Sequence, residues 1–161
     1  MIQTRIATIE DAPELLEQLL EMHSEVPFGE PNVLKIRKHI TYLLDSGMGI
    51  VYLSYAPSTG IVTGSCGLCW GQPWWWTDQW VISEQWVYVR QEWRSTNSAV
   101  SLLRTMQDCA KQLNIPLQTS ISSPFDVDRK DKLFSRYGLA LGKTILMNAE
   151  SLNSEKKSEI S

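Results

Sequence analysis

The stretch "VYVRQEWRSTNSAVSLL", residues 87–103, begins with strand-like alternation, crosses a polar turn and leaves with apolar residues at helical spacing. Its reading decides the fold, because a helix that starts directly after a strand presents unpaired N–H groups and about half a positive charge at its first turn. Such a terminus suits an anion. Here it is built from Arg94, Ser95, Thr96, Asn97, Ser98 and Ala99. Arg94 offers a planar guanidinium fork, and the hydroxyls of Ser95, Thr96 and Ser98 offer further donors. The turn has no glycine, so taken alone it reads better as a plain Ser or Thr helix cap.

On the N-terminal side of this junction, residues 2–7 read as a short strand. Asp11 followed by Glu14 has capping-box spacing, and Leu15, Leu16, Leu19, Leu20 and His23 mark the face of a first helix. "HSEVPFGEPN" is a loop. A second helix runs from about Asn32 to Gly47, with His39 on its surface. Runs at 49–56, 60–71 and 80–89 read as three strands separated by turn residues, which predicts an antiparallel meander. Beyond the junction, Val100 to Leu113 form a third helix, "LQTSIS" a strand, Asp128 to Gly138 a short helix and "KTILMNA" (143–149) a last strand. The expected architecture is α/β (α+β): a mixed, mostly antiparallel sheet flanked by about four helices, spanning 1–149, with a polar tail at 150–161.

Composition narrows the function. The 161 residues carry a net charge of −3 and 43% hydrophobic residues, enough for one core and without the basic excess of a nucleic-acid binder. No apolar run approaches the ~20 residues of a membrane span, so a soluble, cytoplasmic protein is expected. Cys66, Cys69 and Cys109 are too few and uneven for a disulfide framework. Cys66 and Cys69 form C-x-x-C, but three residues apart on a strand they point to opposite faces, so no metal site is expected.

Three segments, "IQTRIATIEDAPELLEQLLEMH", "VYVRQEWRSTNSAVSLLRTMQDCAKQLNIP" and "KLFSRYGLAL", together with the order of elements, resemble the GNAT superfamily of acetyl-CoA-dependent N-acetyltransferases. The resemblance covers residues 2 to about 148. In that family the phosphate loop reads Gln or Arg, two residues, Gly, one residue, Gly or Ala. Arg94, Asn97 and Ala99 match it, with Asn97 in place of a glycine. Asparagine is the non-glycine residue that best tolerates positive φ, so a similar backbone shape is expected there.

The resemblance implies acetyl-CoA as co-substrate and direct attack by an amine acceptor, without a covalent enzyme intermediate. It implies that backbone N–H groups near Val87 and Val89 hold the pantetheine arm and that a carboxylate on the 80–89 strand serves as base. By simple alternation Ile82, Glu84, Trp86 and Tyr88 share one face, and Val81, Ser83, Gln85, Val87 and Val89 the other. Counting back from Arg94, the base is sought at Ser83 or Gln85, and Glu84 reaches that phase only if a bulge re-aims it. The family's proton-donating tyrosine would stand at Phe134, which has no proton to give; Tyr137 and, more weakly, Tyr88 are the alternatives. An exposed strand glutamate and a packing tyrosine are the competing readings of Glu84 and Tyr137.

"GQPWWWTDQW" gathers Trp74, Trp75, Trp76 and Trp80 at a strand connection, and consecutive tryptophans at a turn cannot all face one core. At least one is expected to be exposed, as a homodimer contact, an acceptor wall or a partner-binding surface. A GNAT-like binding module that has lost catalysis is the alternative to an enzyme.

Overall fold

A computed structural model of the chain describes residues 1–26, 29–73, 75–121 and 127–136. The strand expected at 143–149, the tail from 150, Trp74, Tyr137 and Gly138 lie outside the described residues. In chain order the elements are β1 (Gln3–Ile6), α1 (Ala12–Ser24), α2 (Val33–Asp45), β2 (Gly49–Tyr55), β3 (Val62–Gly71), β4 (Val81–Val89), α3 (Ser98–Leu113), β5 (Leu117–Gln118) and α4 (Val127–Ser135). Short 3-10 turns precede α1 and α3. Among the described residues no helix is long and apolar enough to cross a membrane.

Among the described residues the strands form one five-stranded sheet in the order β1-β2-β3-β4-β5. The first four make the antiparallel meander that their turns predict, whereas β5 returns parallel to β4 after α3. Such a parallel return needs a crossover, and α3 supplies it. The pairing of β5 is confined to Ile82↔Leu117 and Ser83↔Gln118, far shorter than the strand expected from "LQTSIS".

The sheet is covered on both faces. On one, Leu15 and Leu19 of α1 and Ile40 and Leu43 of α2 pack with Val51, Leu53, Trp86 and Tyr88. On the other, Leu102, Leu103, Met106 and Cys109 of α3 pack with Cys66, Leu68, Ile82 and Val89. The second set shows why α3 is a helix: its apolar residues recur at intervals of three and four, and burying each one contributes about 1.5–3 kcal/mol. Asn114, in the left-handed region at φ 53°, ends it.

Local signals hold with two adjustments. Asn32 caps α2 by accepting the Lys35 N–H at 3.0 Å. The capping box, however, lies one turn before the Asp11–Glu14 pair: the Asp11 carboxylate accepts the Thr8 N–H at 2.8 Å and binds Arg5. His39 is half-buried with its ring against Trp86, not on the surface. Burial pulls its pKa below the usual histidine value, opposed by the Gln85 side chain.

Candidate active site

A bulge in β4 organises the site. Register runs from Cys66↔Val87 and Gly67↔Trp86 directly to Leu68↔Glu84, leaving Gln85 without a partner on β3. Cys66 and Leu68 are two apart on one strand and so share a face; their partners Val87 and Glu84 therefore share it too. Glu84, out of phase by simple alternation, is turned by the bulge onto the α3 face with Val87 and Val89. Trp86 and Tyr88 go to the opposite face, against α1 and α2. The expected grouping of Glu84 with Trp86 and Tyr88 is thus corrected.

Gly67 makes this possible. A Cβ there would lie 2.3 Å from the Trp86 ring, so the indole crosses β3 where the side chain is missing, and its Nε1 donates to Ser65 Oγ at 3.0 Å. The ring pins the register on one side of the bulge.

Glu84 sits where β4 and β5 part. Its carboxylate accepts the Ser120 N–H at 3.0 Å. In an uninterrupted parallel ladder that N–H would bond to the Glu84 carbonyl instead. Burial raises the carboxyl pKa to about 7, and the Ser120 hydrogen bond works weakly against this. The group is half-buried, so the exposed-glutamate reading does not hold.

Past the bulge, no described residue pairs with one edge of β4. The Arg90 N–H donates to the Thr63 carbonyl of β3 at 3.0 Å, so by alternation the N–H groups of Val89 and Val87 point to the other edge. That is the edge β5 joins only at Ile82 and Ser83. The Val89 carbonyl on it accepts Arg94 Nε at 3.0 Å.

The turn ahead of α3 differs from its sequence reading in detail. Asn97 has φ −86°, so the left-handed shape expected of it is not used, and its side chain makes no cap. Ser98 is fully buried and donates to Thr63 Oγ1 at 3.0 Å; Thr63 in turn bonds Ser54 at 2.8 Å. Thr96 Oγ1 donates to the Trp93 carbonyl at 2.6 Å. These two hydroxyls are committed to the fold and are not free donors for an anion, whereas Ser95 and Asn97 are exposed and Ala99 is half-buried. The Thr96 N–H is bonded to the Trp93 carbonyl at 3.1 Å and the Ser98 N–H to Thr96 Oγ1 at 3.3 Å, so the first turn of α3 offers the backbone N–H groups of Ala99 and Val100.

Arg94 does not reach toward that turn. It binds both carboxylate oxygens of Glu25, at 2.7 Å to Oε2, with its guanidinium 5.7 Å from the centre of the Tyr88 ring. Beside it Arg90 meets Glu14, Glu17 and Glu21 of α1 at 3.1, 3.5 and 3.3 Å. Tyr88 donates to Glu21 and Glu25, and burial followed by these carboxylates raises its pKa. It lies across the sheet from Glu84, which removes it as a proton donor on the Glu84 side. Nothing in the local sequence announces these contacts, since their partners are more than sixty residues apart.

Phe134 packs against the α3 core. Cys66 faces that core and Cys69 the other, as strand alternation requires, and burial pushes the Cys66 thiol pKa up. Among the described residues no group of His, Cys, Asp and Glu is arranged to hold a metal. Trp75 and Trp76 are exposed, 92% and 64%, with their rings edge-to-face at 5.6 Å.

Between the start of α3 and α4 lies a cleft of about 790 Å³, whose lining includes Arg94, Thr96, Ala99, Arg129, Lys132 and Arg136. It adjoins the turn that the sequence singles out.

No protein-family model matches the sequence, and no curated protein matches it significantly. Solved structures do. A predicted acetyltransferase with acetyl-CoA from Clostridium acetobutylicum is similar at 14% identity and TM-score 0.69, over 94% of this chain and 98% of that one. A ribosomal-protein-alanine N-acetyltransferase from Brucella melitensis biovar Abortus 2308 is similar at 15% identity and TM-score 0.66, over 92% and 99%. Glucosamine-6-phosphate N-acetyltransferase from Arabidopsis thaliana is similar at 13% identity and TM-score 0.67, over 92% and 97%. At these identities the likeness is one of fold.

Proposed function

We propose that this chain, which has the GNAT-type acetyltransferase fold, moves an acetyl group from acetyl-CoA to a primary amine. The observation that carries the reading is the bulge in β4. It turns Glu84 onto the face of Val87 and Val89, beside a strand edge whose N–H groups point away from β3.

When bound, acetyl-CoA supplies an acetyl group activated as a thioester. The N–H groups of Val87 and Val89 hold the amides of the pantetheine arm and the thioester oxygen, as preorganised backbone donors that side-chain identity does not reveal. Around the start of α3 the N–H groups of Ser95, Asn97, Ala99 and Val100 would face the diphosphate, those of Thr96 and Ser98 being bonded within the turn. Arg94 acts indirectly: its ion pair with Glu25 fixes the end of β4 to the end of α1.

Glu84 takes the proton that the ammonium of the acceptor must lose. A lysine-like amine has a pKa of ~10.4, so a carboxylate raised to about 7 collects that proton far better than an ordinary one near 4.5. Phe134 supplies no proton, and a leaving thiolate with a pKa of ~8.5 would need none from a side chain, because water could protonate it. Tyr137 is proposed as a donor only if it faces the same site.

A second reading keeps the fold without the chemistry. The exposure of Trp75 and Trp76 favours a contact surface, for a second copy of the chain or another protein. CoA release assayed against a panel of amines separates the two. Turnover that Glu84→Gln removes supports the transferase. No turnover with any amine, together with self-association that Trp75→Ala abolishes, supports the binding module.

A further inference from the structure

The cleft between α3 and α4 carries positive charge that no described carboxylate is shown to pair. Arg129 and Lys132 of α4 and Arg136, just past its end, line it at intervals of three and four residues and so extend along one side of the helix for about 10 Å. All of them are exposed, and none makes an ion pair among the described residues. Among the described residues the one carboxylate in the lining, Asp128, lies in the first turn of α4, where the helix dipole favours it. In a chain of net charge −3, this is a local field of the opposite sign.

The opposite wall is the start of α3. Its side chains contribute little to anion binding: the Thr96 and Ser98 hydroxyls are bonded within the fold, and Arg94 is paired with Glu25. The wall therefore offers backbone N–H groups suited to one anion, while α4 offers side-chain cations for another. Coenzyme A carries two separate anionic groups of this kind, a diphosphate and a 3′-phosphomonoester of about −1.5 to −2 charge near neutrality.

Resting on the transferase reading above, we infer that Arg129, Lys132 and Arg136 seat the 3′-phosphate of CoA, so that this chain selects the 3′-phosphorylated cofactor. Arginine forks suit a phosphomonoester, and Lys132 between them adds a point charge. The α4 helix, and not the glycine-free loop, then supplies most of the electrostatic attraction for the cofactor.

Calorimetry of CoA and 3′-dephospho-CoA tests this, since the second ligand keeps the diphosphate and pantetheine and lacks only the monoester. The intact chain is expected to bind CoA about 10-fold or more tightly than dephospho-CoA, with the steeper salt dependence. The triple variant R129Q/K132Q/R136Q changes exposed positions only; it is expected to bring the two affinities within about twofold while leaving that for dephospho-CoA nearly unchanged. Equal affinities in the intact chain overturn the inference and leave the transferase reading standing, as does an equal weakening of both ligands in the variant. If neither ligand binds at millimolar concentration, the transferase reading fails and takes the inference with it.

Discussion

The Ser120 N–H donates to the Glu84 carboxylate at 3.0 Å, at the point where β5 leaves β4. One hydrogen bond thus joins the proposed base to the parting of the strands. It also moderates the base, because it favours the charged form while burial favours the neutral one, and burial prevails.

A carboxyl near pH 7 sets the shape of the pH–rate profile. In the intact chain kcat/KM is expected to rise through about pH 7 as Glu84 ionises. Glu84→Gln removes that limb and lowers the rate by roughly 10²–10⁴. Steady-state CoA release between pH 5.5 and 9 reads both effects, and an unchanged limb in the variant contradicts the assignment.

The same group affects stability, with opposite consequence. The folded pKa of Glu84, about 7, lies above its ordinary value of 4.5, so between those pH values the folded state holds more protons than the unfolded one. Stability contributed by Glu84 is therefore full below pH 4.5 and is lost as pH rises to about 7. Glu84→Gln is expected to stabilise the protein at pH 8 relative to pH 4.5, by on the order of 1–3 kcal/mol. Urea unfolding at both pH values checks the sign.

Gly67→Ala tests the bulge. The added methyl meets the Trp86 ring at 2.3–2.6 Å, and the ring is held by Ser65 and by the surrounding core. A cost of about 1–3 kcal/mol is expected, with a shift in tryptophan emission as the indole moves. A variant as stable as the parent would mean that Trp86 does not pin the register.

Arg90 gathers Glu14, Glu17 and Glu21 from one face of α1. Its side chain is only 15% exposed, so Arg90→Ala leaves the carboxylates facing one another beside a gap. A loss of about 1–3 kcal/mol is expected at low salt, smaller at high salt as the repulsion is screened. Chemical denaturation at the two ionic strengths measures it.

Much of the fold was legible in the sequence because it is written in short-range patterns. The spacing of Leu102, Met106 and Cys109, the Asn32 cap and the turn residues between β2, β3 and β4 each act within a few positions. The site was legible only as a set of conditions. Whether Glu84 joins Val87 depends on a bulge, and the bulge depends on Gly67 lying opposite Trp86, a cross-strand fact that no single segment contains. Ser98 reads as a free hydroxyl until Thr63 is found beside it. Arg94 reads as a phosphate ligand until folding brings it to Glu25, and the negative φ of Asn97 reflects how the whole turn closes, not the tolerance of asparagine. Arg129, Lys132 and Arg136 gain meaning only when α4 is placed across from α3.

The account rests on the edge of β4 beyond the bulge receiving the cofactor, and an NMR titration of the labelled chain with CoA examines it residue by residue. The amides of Val87 and Val89 are predicted to shift strongly and saturate together with those at the start of α3. Amides at both places unmoved at millimolar CoA would contradict the account.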